Sequence, residues 1–149
     1  MSEFQKQILA FNAMYRLPVS QKPTLDVGVP TKQRLTDFKA ILSEELNEID
    51  EIIANADESA RSFETLTKLA DLLGDLQVYC ASEMAKWGIP LDDTLAIIME
   101  SNFSKMGEDG KPIYDERGKL QKGPQYWKPE PKIEKMLRNR IDRLDPKRV

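Results

Sequence analysis

The sequence predicts an all-α protein of four to five helices with a short, hairpin-like loop in its C-terminal third. Apolar residues recur with helical spacing over several long stretches, and only 7 of the 149 residues are glycine. Charged residues make up 32% of the chain and hydrophobic residues 40%, which suits a small protein with one core. We therefore expect a single domain over residues 1–149.

Two helices are predicted in the first third of the chain. The first covers Glu3 to Tyr15, and Leu17-Pro18 ends it because proline disfavours helical geometry in the residue before it. Gln21 to Val29 then forms an extended connection. Pro30 suits the first turn of a second helix that runs to about Ala56.

The third helix is predicted to follow a turn at Asp57-Glu58-Ser59 and to run to about Trp87. It is apolar nearly all round, which is typical of a helix buried on both sides, and Cys80 is expected in the core. Its small-residue face would let a second helix approach closely, and that helix could come from another subunit. The face comprises Gly74, Val78, Ala81 and Ala85.

The C-terminal third is predicted to contain two more helices around an irregular segment. A helix from Pro90 runs to about Lys105, and a basic one covers about Pro131 to Leu144. Between them, Lys111 to Lys122 indicates two short strands around the turn Asp115-Glu116-Arg117-Gly118.

The second helix carries acidic residues where apolar ones are expected. At 100° per residue, Glu45 points into the middle of its apolar arc, Glu48 lies at the edge, and Glu44 sits further round. A carboxylate on an apolar face is unfavourable unless something compensates its charge. For two or three converging carboxylates, the natural partner is a cation.

The third helix adds Asp71 and Asp75, one turn apart. If the two helices pair in antiparallel fashion, these groups come level with the three glutamates. Four or five carboxylates would then surround one or more Mg²⁺ ions, with Mn²⁺ as an alternative. A dimer interface whose buried aspartates are capped by backbone or lysine partners is the competing interpretation.

Composition removes several classes of function. The chain has no histidine and one cysteine, which excludes Ser-His-Asp and Cys-His catalysis, histidine-bound zinc and an internal disulfide. The net charge of −3 argues against stable nucleic-acid binding. No apolar run is long enough for a membrane span, so we expect a cytoplasmic protein.

Several motifs resemble the all-α nucleoside triphosphate (NTP) pyrophosphohydrolases, the MazG-like and phosphoribosyl-ATP pyrophosphohydrolase-like proteins related to dimeric dUTPases. Glu44-Glu45-Leu-Asn-Glu48 followed by Asp71 is similar to the family pattern E-E-x-x-E, then E-x-x-D. Ser101-Asn-Phe-Ser-Lys105 is similar to S-N-M-S-K. One branch of the family also resembles this chain in its opening helix, Phe11 to Pro18, and in its tail, Asp109 to Pro131.

The resemblance implies a MazG-like helical bundle, a homodimer or homotetramer, that converts a nucleoside triphosphate to the monophosphate and pyrophosphate with Mg²⁺. The role implied is removal of unwanted nucleotides from the pool. Catalytic candidates are Glu44, Glu45 and Glu48; metal candidates are Glu45, Glu48, Asp71 and Asp75; substrate-binding candidates are Lys68, Asn102, Lys105, Lys122, Tyr126 and Asn12.

Three positions depart from the family pattern. Lys68 stands where the second motif has glutamate, so it could contact phosphate, with Asp75 supplying the missing charge, or it could mark weakened catalysis. Asn12 and Tyr15 replace an expected histidine and phenylalanine, which leaves the base preference open. The alternative function is therefore a helical oligomer that binds metal and nucleotide with little or no turnover.

Overall fold

The computed structural model describes residues 1–56 and 63–145, and this part of the chain is helical, with five α-helices and no sheet. The all-α prediction is confirmed. The helices are α1 (Glu3–Met14), α2 (Thr31–Asn55), α3 (Phe63–Lys86), α4 (Leu91–Phe103) and α5 (Glu130–Leu144). Each predicted helix is present to within about three residues at the ends described. The turn predicted at Asp57-Glu58-Ser59 lies outside the described residues.

The chain groups into two compact units, Met1–Gly88 with α1, α2 and α3, and Ile89–Val149 with α4 and α5. That all 149 residues form one domain stays a prediction.

Both ends of α1 are set by local hydrogen bonds. The Ser2 hydroxyl accepts the backbone N–H of Gln5 at 3.2 Å, which caps the N-terminus. At the other end Arg16 takes up left-handed geometry with φ of 57°. The Leu17 N–H can then donate to the carbonyl of Asn12 at 2.8 Å, a Schellman-type ending. The helix thus ends at Met14, four residues before Pro18 and one residue before the predicted end at Tyr15.

The core of the first unit surrounds the C-terminal half of α3. Its buried apolar side chains are Ile8, Val27, Leu72, Ala81, Ala85 and Trp87. Ala81 and Ala85 are therefore covered within their own chain, although the sequence suggested a second subunit as their partner. Leu17 to Gly28 folds back toward this end of α3, which supplies cover that helical periodicity alone does not reveal.

Residues 20–24 satisfy the last carbonyl groups of α3. The Ser20 N–H donates to the Ala85 carbonyl at 3.0 Å, its hydroxyl donates to the Lys86 carbonyl at 2.6 Å, and the Thr24 N–H donates to the Trp87 carbonyl at 3.0 Å. Gly88 follows with φ of 65°, and a Cβ there would lie 2.2 Å from the Lys22 carbonyl oxygen. Glycine is required at this close approach.

A buried ion pair connects α2 to the same end of α3. Glu83 is 5% exposed, and its carboxylate accepts hydrogen bonds from Arg34 of α2, from Lys86 at 3.1 Å and from the Trp87 indole N–H at 2.8 Å. Hydrogen bonds from all sides make a buried charge tolerable. This network fixes the start of α2 against the end of α3.

The rest of the α2–α3 pair is much less covered. None of the residues of α2 is buried. On α3, Leu66, Leu69 and Leu73 are 59%, 39% and 50% exposed. Cys80 is exposed as well, so its predicted place in the core was wrong. Helical periodicity shows which residues of α3 share an apolar face. It does not show whether a neighbouring helix covers that face.

The second unit contains α4, an irregular segment and α5. One antiparallel bridge, between Tyr114 and Leu120, represents the predicted hairpin. The Gly118 N–H donates to the Asp115 carbonyl at 2.9 Å, and the Gln121 N–H donates to the Ile113 carbonyl at 2.7 Å. The turn is thus at its predicted place, with very short strands. No helix within residues 1–56 and 63–145 has both the length and the apolarity needed to cross a bilayer.

Candidate metal and nucleotide site

The predicted acidic residues lie on two helices that pack against each other, α2 and α3. Glu44, Glu45 and Glu48 belong to the middle of α2, and Asp71 and Asp75 to the middle of α3. Glu45 is half-buried and the other four side chains are exposed. The helix pairing expected from the sequence is present, and the five carboxylates are open to solvent or to a ligand.

The pKa of Glu48 shows that the two helices direct negative charge to a common region. Desolvation raises this pKa above its ordinary value first, and the charges of Glu45, Glu51, Asp71 and Asp75 raise it further. Repulsion from the aspartates of α3 acts across the helix pair. Carboxylates of the two helices thus influence one another electrostatically, and their role as a metal site stays a prediction.

Tyr79 is a residue of this region that the sequence analysis missed. The charge of Glu45 and an interaction of the phenol with that carboxylate raise the pKa of Tyr79, and Asp75 and Glu44 add to the effect. Tyr79 lies four residues after Asp75, so both occupy one side of α3. The four-residue spacing between Asp75 and Tyr79 could have identified Tyr79 from the sequence. Glu51, which the sequence analysis did not single out, also raises the pKa of Glu48.

The cluster has no cationic partner within the described ranges. None of its five carboxylates lies within ion-pair distance of a lysine or arginine there. Lys68, expected near Asp71 and Asp75, instead pairs with Glu64 at 3.3 Å on the surface of α3. The negative charges of α2 and α3 thus repel one another without compensation.

The donor types fit a hard divalent cation, because Mg²⁺ and Mn²⁺ prefer carboxylate oxygens. The side chains do not, however, form a ready coordination shell: no three acidic or cysteine side chains of the described chain converge closely enough to hold an ion. The cluster therefore supplies charge and ligand type, and metal binding would require its exposed side chains to rotate inward.

Two clefts flank the acidic residues. Asp71 and Asp75 line one of about 370 Å³ together with Phe4 of α1 and Ala70, Gly74, Gln77 and Val78. Lys68 lines another of about 160 Å³, formed by Ile52, Asn55, Glu64 and Thr65. Lys68 and the two aspartates thus border different clefts, although they lie within two turns of α3.

Four substrate candidates form two pairs, and a backbone hydrogen bond at the C-terminal end of α4 connects the segments that carry them. The Lys105 ammonium donates to the Asn102 side-chain oxygen at 2.7 Å. The backbone carbonyl of Lys105 accepts from the Gly123 N–H at 3.2 Å, next to Lys122, whose ammonium lies 4.8 Å from the Tyr126 ring centroid. A Cβ at Gly123 would lie 1.8 Å from the Met106 carbonyl oxygen, so this approach requires glycine.

The two serines of the S-N-F-S-K segment hold the tail in place. Ser101 donates its hydroxyl to the Trp127 carbonyl at 2.8 Å, and the Trp127 N–H donates to the Ser104 hydroxyl at 3.2 Å. Lys132 covers the indole at 3.7 Å from the ring centroid. These serines were quoted as part of the motif, but their structural role was not predicted.

Asn12 is fully buried. Its amide nitrogen donates to the Ser82 carbonyl at 3.2 Å and to the Pro18 carbonyl at 3.4 Å, and its oxygen accepts the Ser82 hydroxyl at 2.7 Å. Both ends of the amide are occupied, so Asn12 holds α1 to α3 here and presents no polar atom to a substrate.

Comparison with known proteins shows a shared fold. Neither a protein-family model nor a curated protein matches this chain. A crystal structure from Exiguobacterium sp. 255-15, of a protein named as a candidate NTP pyrophosphohydrolase, is similar to it with a TM-score of 0.51. The identity is 17%, and the match covers 96% of this chain and 98% of the other. Likeness at this identity concerns the fold alone.

Proposed function

We propose that this protein is a nucleoside triphosphate pyrophosphohydrolase, which uses Mg²⁺ to convert a nucleoside triphosphate to the monophosphate and pyrophosphate. One observation carries the proposal: carboxylates of α2 and α3 add to desolvation in raising the pKa of Glu48, and no lysine or arginine within residues 1–56 and 63–145 forms an ion pair with them. Self-repelling acidic groups on a fold surface are unfavourable unless they serve a ligand. The resemblance of the motifs and the fold shared with the Exiguobacterium structure agree with this assignment.

Glu45, Glu48, Asp71 and Asp75 are the residues that would hold the metal. Mg²⁺ held by these residues would supply positive charge that offsets the triphosphate and would lower the pKa of a bound water. Glu44, Glu45 and Glu48 would orient the attacking water, whose oxygen forms a new bond to phosphorus while the anhydride bond to pyrophosphate breaks. Positioning and charge neutralisation are the main requirements of phosphoryl transfer, so histidine is not needed.

Lys105 and Asn102 are proposed to bind the nucleotide. Their mutual hydrogen bond orients the lysine ammonium, and Lys122 and Tyr126 lie on the segment joined to Lys105 through Gly123. Lysine is a common phosphate ligand because its ammonium acts as a compact point charge. Lys68 is proposed as a weaker phosphate contact, since Glu64 pairs with it only at the exposed surface.

The assembly is proposed to be at least a homodimer. Leu66, Leu69 and Leu73 form an exposed apolar row on α3, and Phe63 at its start is 82% exposed. A second copy of the chain would cover this row, as in the helical dimers and tetramers of the resembling family. Light scattering at micromolar concentration should give a mass of two chains or more, and a monomer would contradict this part of the proposal.

Pyrophosphate release from a panel of standard and damaged nucleotides, with and without Mg²⁺, tests the activity. We expect release that depends on Mg²⁺ and favours certain bases. A second function is favoured by two observations, Lys68 in place of the family's glutamate and acidic side chains not gathered around one point. That function is binding of metal and nucleotide without turnover, and it predicts calorimetric binding of both with no pyrophosphate from any nucleotide.

A further inference from the structure

A cleft of about 300 Å³ lies in the second unit, and none of the residues assigned to hydrolysis lines it. Asp93 of α4 lines it together with five residues of α5: Met136, Asn139, Arg140, Arg143 and Leu144. These five recur at spacings of three and four residues, so they share one face of α5. The cleft thus has two arginines, one amide and one carboxylate between two apolar side chains.

The two arginines differ from their neighbour Arg138. Arg138 donates through Nε and Nη2 to Glu134 at 2.9 and 2.7 Å, so its charge has a partner on its own helix. Arg140 and Arg143 form no ion pair with any acidic group of residues 1–56 and 63–145. The Nε atom of Arg140 is buried, and no acceptor of the described chain reaches it.

A buried donor without an acceptor is uncommon in folded proteins, and where one occurs an absent ligand or ion is a frequent explanation. Here the donor belongs to a guanidinium, whose planar N–H groups match the oxygens of phosphate in pairs. A second guanidinium, that of Arg143, lines the same cleft. Both features indicate an oxyanion.

We propose that this cleft binds a small phosphorylated organic molecule, with its phosphate on Arg140 and Arg143. The volume of about 300 Å³ is about ten times that of one water molecule, which exceeds the need of a bare ion. The organic part contacts Met136 and Leu144. Its hydroxyl or amino groups have a hydrogen-bond acceptor in Asp93 and a donor and acceptor in Asn139.

Calorimetry on the whole chain tests this site, without Mg²⁺ or nucleoside triphosphate. The probes are ribose 5-phosphate, glycerol 3-phosphate, inorganic phosphate and ribose. We expect the two organic phosphates to bind at millimolar concentration or below, inorganic phosphate to bind more weakly, and ribose not to bind. Affinity should fall as salt rises, because the contact is between charges.

Three variants locate the binding. Arg143→Met, at an exposed position, should weaken ribose 5-phosphate binding about tenfold or more, the usual effect of losing a hydrogen bond to a charged group. Arg140→Met should do the same. Arg138→Met is the matched control, with the same chemical change on the same helix, and should bind as the unaltered protein does. Thermal melting checks that each variant is folded.

Failure to bind either organic phosphate would overturn the proposal. Equal loss in Arg138→Met would also overturn it, since that result means attraction to a basic helix in general. Equal binding of ribose would show that the phosphate is not recognised. None of the residues of this cleft takes part in the proposed hydrolysis. None of these three outcomes would therefore count against the proposed pyrophosphohydrolase activity.

Discussion

The two halves of α3 differ in how far the rest of the chain buries them. In the C-terminal half, Ala81, Ser82, Glu83, Ala85 and Lys86 are all buried, and their polar groups have partners from α1, α2 and the segment after α1. In the N-terminal half Leu72 is the buried residue, and an apolar row and Asp71 lie at the surface, followed by the exposed Asp75 at the middle of the helix. One continuous helix therefore serves two purposes.

The carboxylates near the two halves of α3 differ in the same way in their electrostatic surroundings: Glu83 lies on α3 itself, and Glu48 lies on α2. Burial acts to raise the pKa of Glu83, but hydrogen bonds and charge from Arg34 and Lys86 lower it overall. The pKa of Glu48, which faces Asp71 and Asp75, is raised by desolvation and by its acidic neighbours. Where a carboxylate serves the fold, cations accompany it. Where carboxylates repel one another, we infer that a bound cation balances their negative charge.

Loss of the buried ion pair should give the largest effect. Glu83→Ala leaves Arg34 and Lys86 without their carboxylate, at side-chain exposures of 17% and 10%. The free energy of unfolding should fall by about 3 kcal/mol, typical of breaking one half of a buried pair. Urea denaturation measures it. Glu64→Ala is the control, since its pair with Lys68 is exposed and should be worth less than about 1 kcal/mol.

The pH dependence of stability should confirm the role of Glu83. Its pKa in the folded protein lies below the ordinary 4.5, so its contribution is present above pH 4.5 and is lost as the pH falls through the folded value. The stability difference between the unaltered protein and Glu83→Ala should therefore shrink in acid. A difference that stays constant from neutral pH to pH 3 would contradict this account.

Replacing Glu48, a carboxylate repelled by its neighbours, should not lower the stability of the fold, in contrast to Glu83→Ala. Glu48→Gln should lower pyrophosphate release on the order of 100-fold, as loss of a key electrostatic group does, while the protein is no less stable at neutral pH. Asp50→Asn, at an exposed position of α2 that does not act on Glu48, should keep full activity. Unchanged activity in Glu48→Gln would remove these residues from the mechanism.

The effect of Glu48→Gln on stability also depends on pH. Ionised Glu48 lowers the stability of the folded protein, whereas ionised Glu83 raises it. A folded pKa above 4.5 means that repulsion is absent below pH 4.5 and appears as the pH rises through the folded value. Any gain in stability from Glu48→Gln should thus be seen near neutral pH and vanish in acid. Denaturation at both pH values measures it.

The contact between α1 and α3 predicts an intermediate effect. Asn12→Ala leaves the buried Ser82 hydroxyl and two carbonyl groups without their partner, which should lower the free energy of unfolding by about 2 kcal/mol. The Michaelis constant (KM) of the folded variant should not change. A large change in base preference without loss of stability would instead support contact between Asn12 and the substrate.

Lys68 should give the smallest effect. Because Lys68 pairs with Glu64 and not with the aspartates, Lys68→Glu should not release metal ligands. A negative charge facing the triphosphate should raise KM a few-fold, in line with about 0.5–1 kcal/mol for an exposed charge. Tighter Mg²⁺ binding with unchanged or lower KM would mean that the lysine competes with the metal.

The sequence predicted the helices well because each carries its own boundary signals. Ser2, Pro18, Pro30, Gly88 and Pro90 are capping, breaking or initiating residues, and the observed helices begin or end within a few residues of each. The five clustered carboxylates were predicted for a related reason, since residues three and four apart share one helix face. Such information is local.

Burial could not be predicted in the same way. Periodicity assigns apolar residues to a face but does not say which neighbour covers it. Cys80 was therefore predicted to be in the core, and a second subunit was suggested as the partner of Ala81 and Ala85. The roles of Tyr79 and of the unpaired arginines in the α4–α5 cleft also depend on residues distant in the chain.

The sequence by itself determined the helices, the turn at Asp115–Gly118 and the acidic residues on α2 and α3, because backbone geometry and helical spacing act over a few residues. The tertiary structure alone decided which charges are balanced. It brings Arg34 to Glu83 across 49 residues, joins Asn12 to Ser82 across 70 residues, and leaves Glu48 among carboxylates. Charge compensation depends on distance in space, and the fold alone sets that distance.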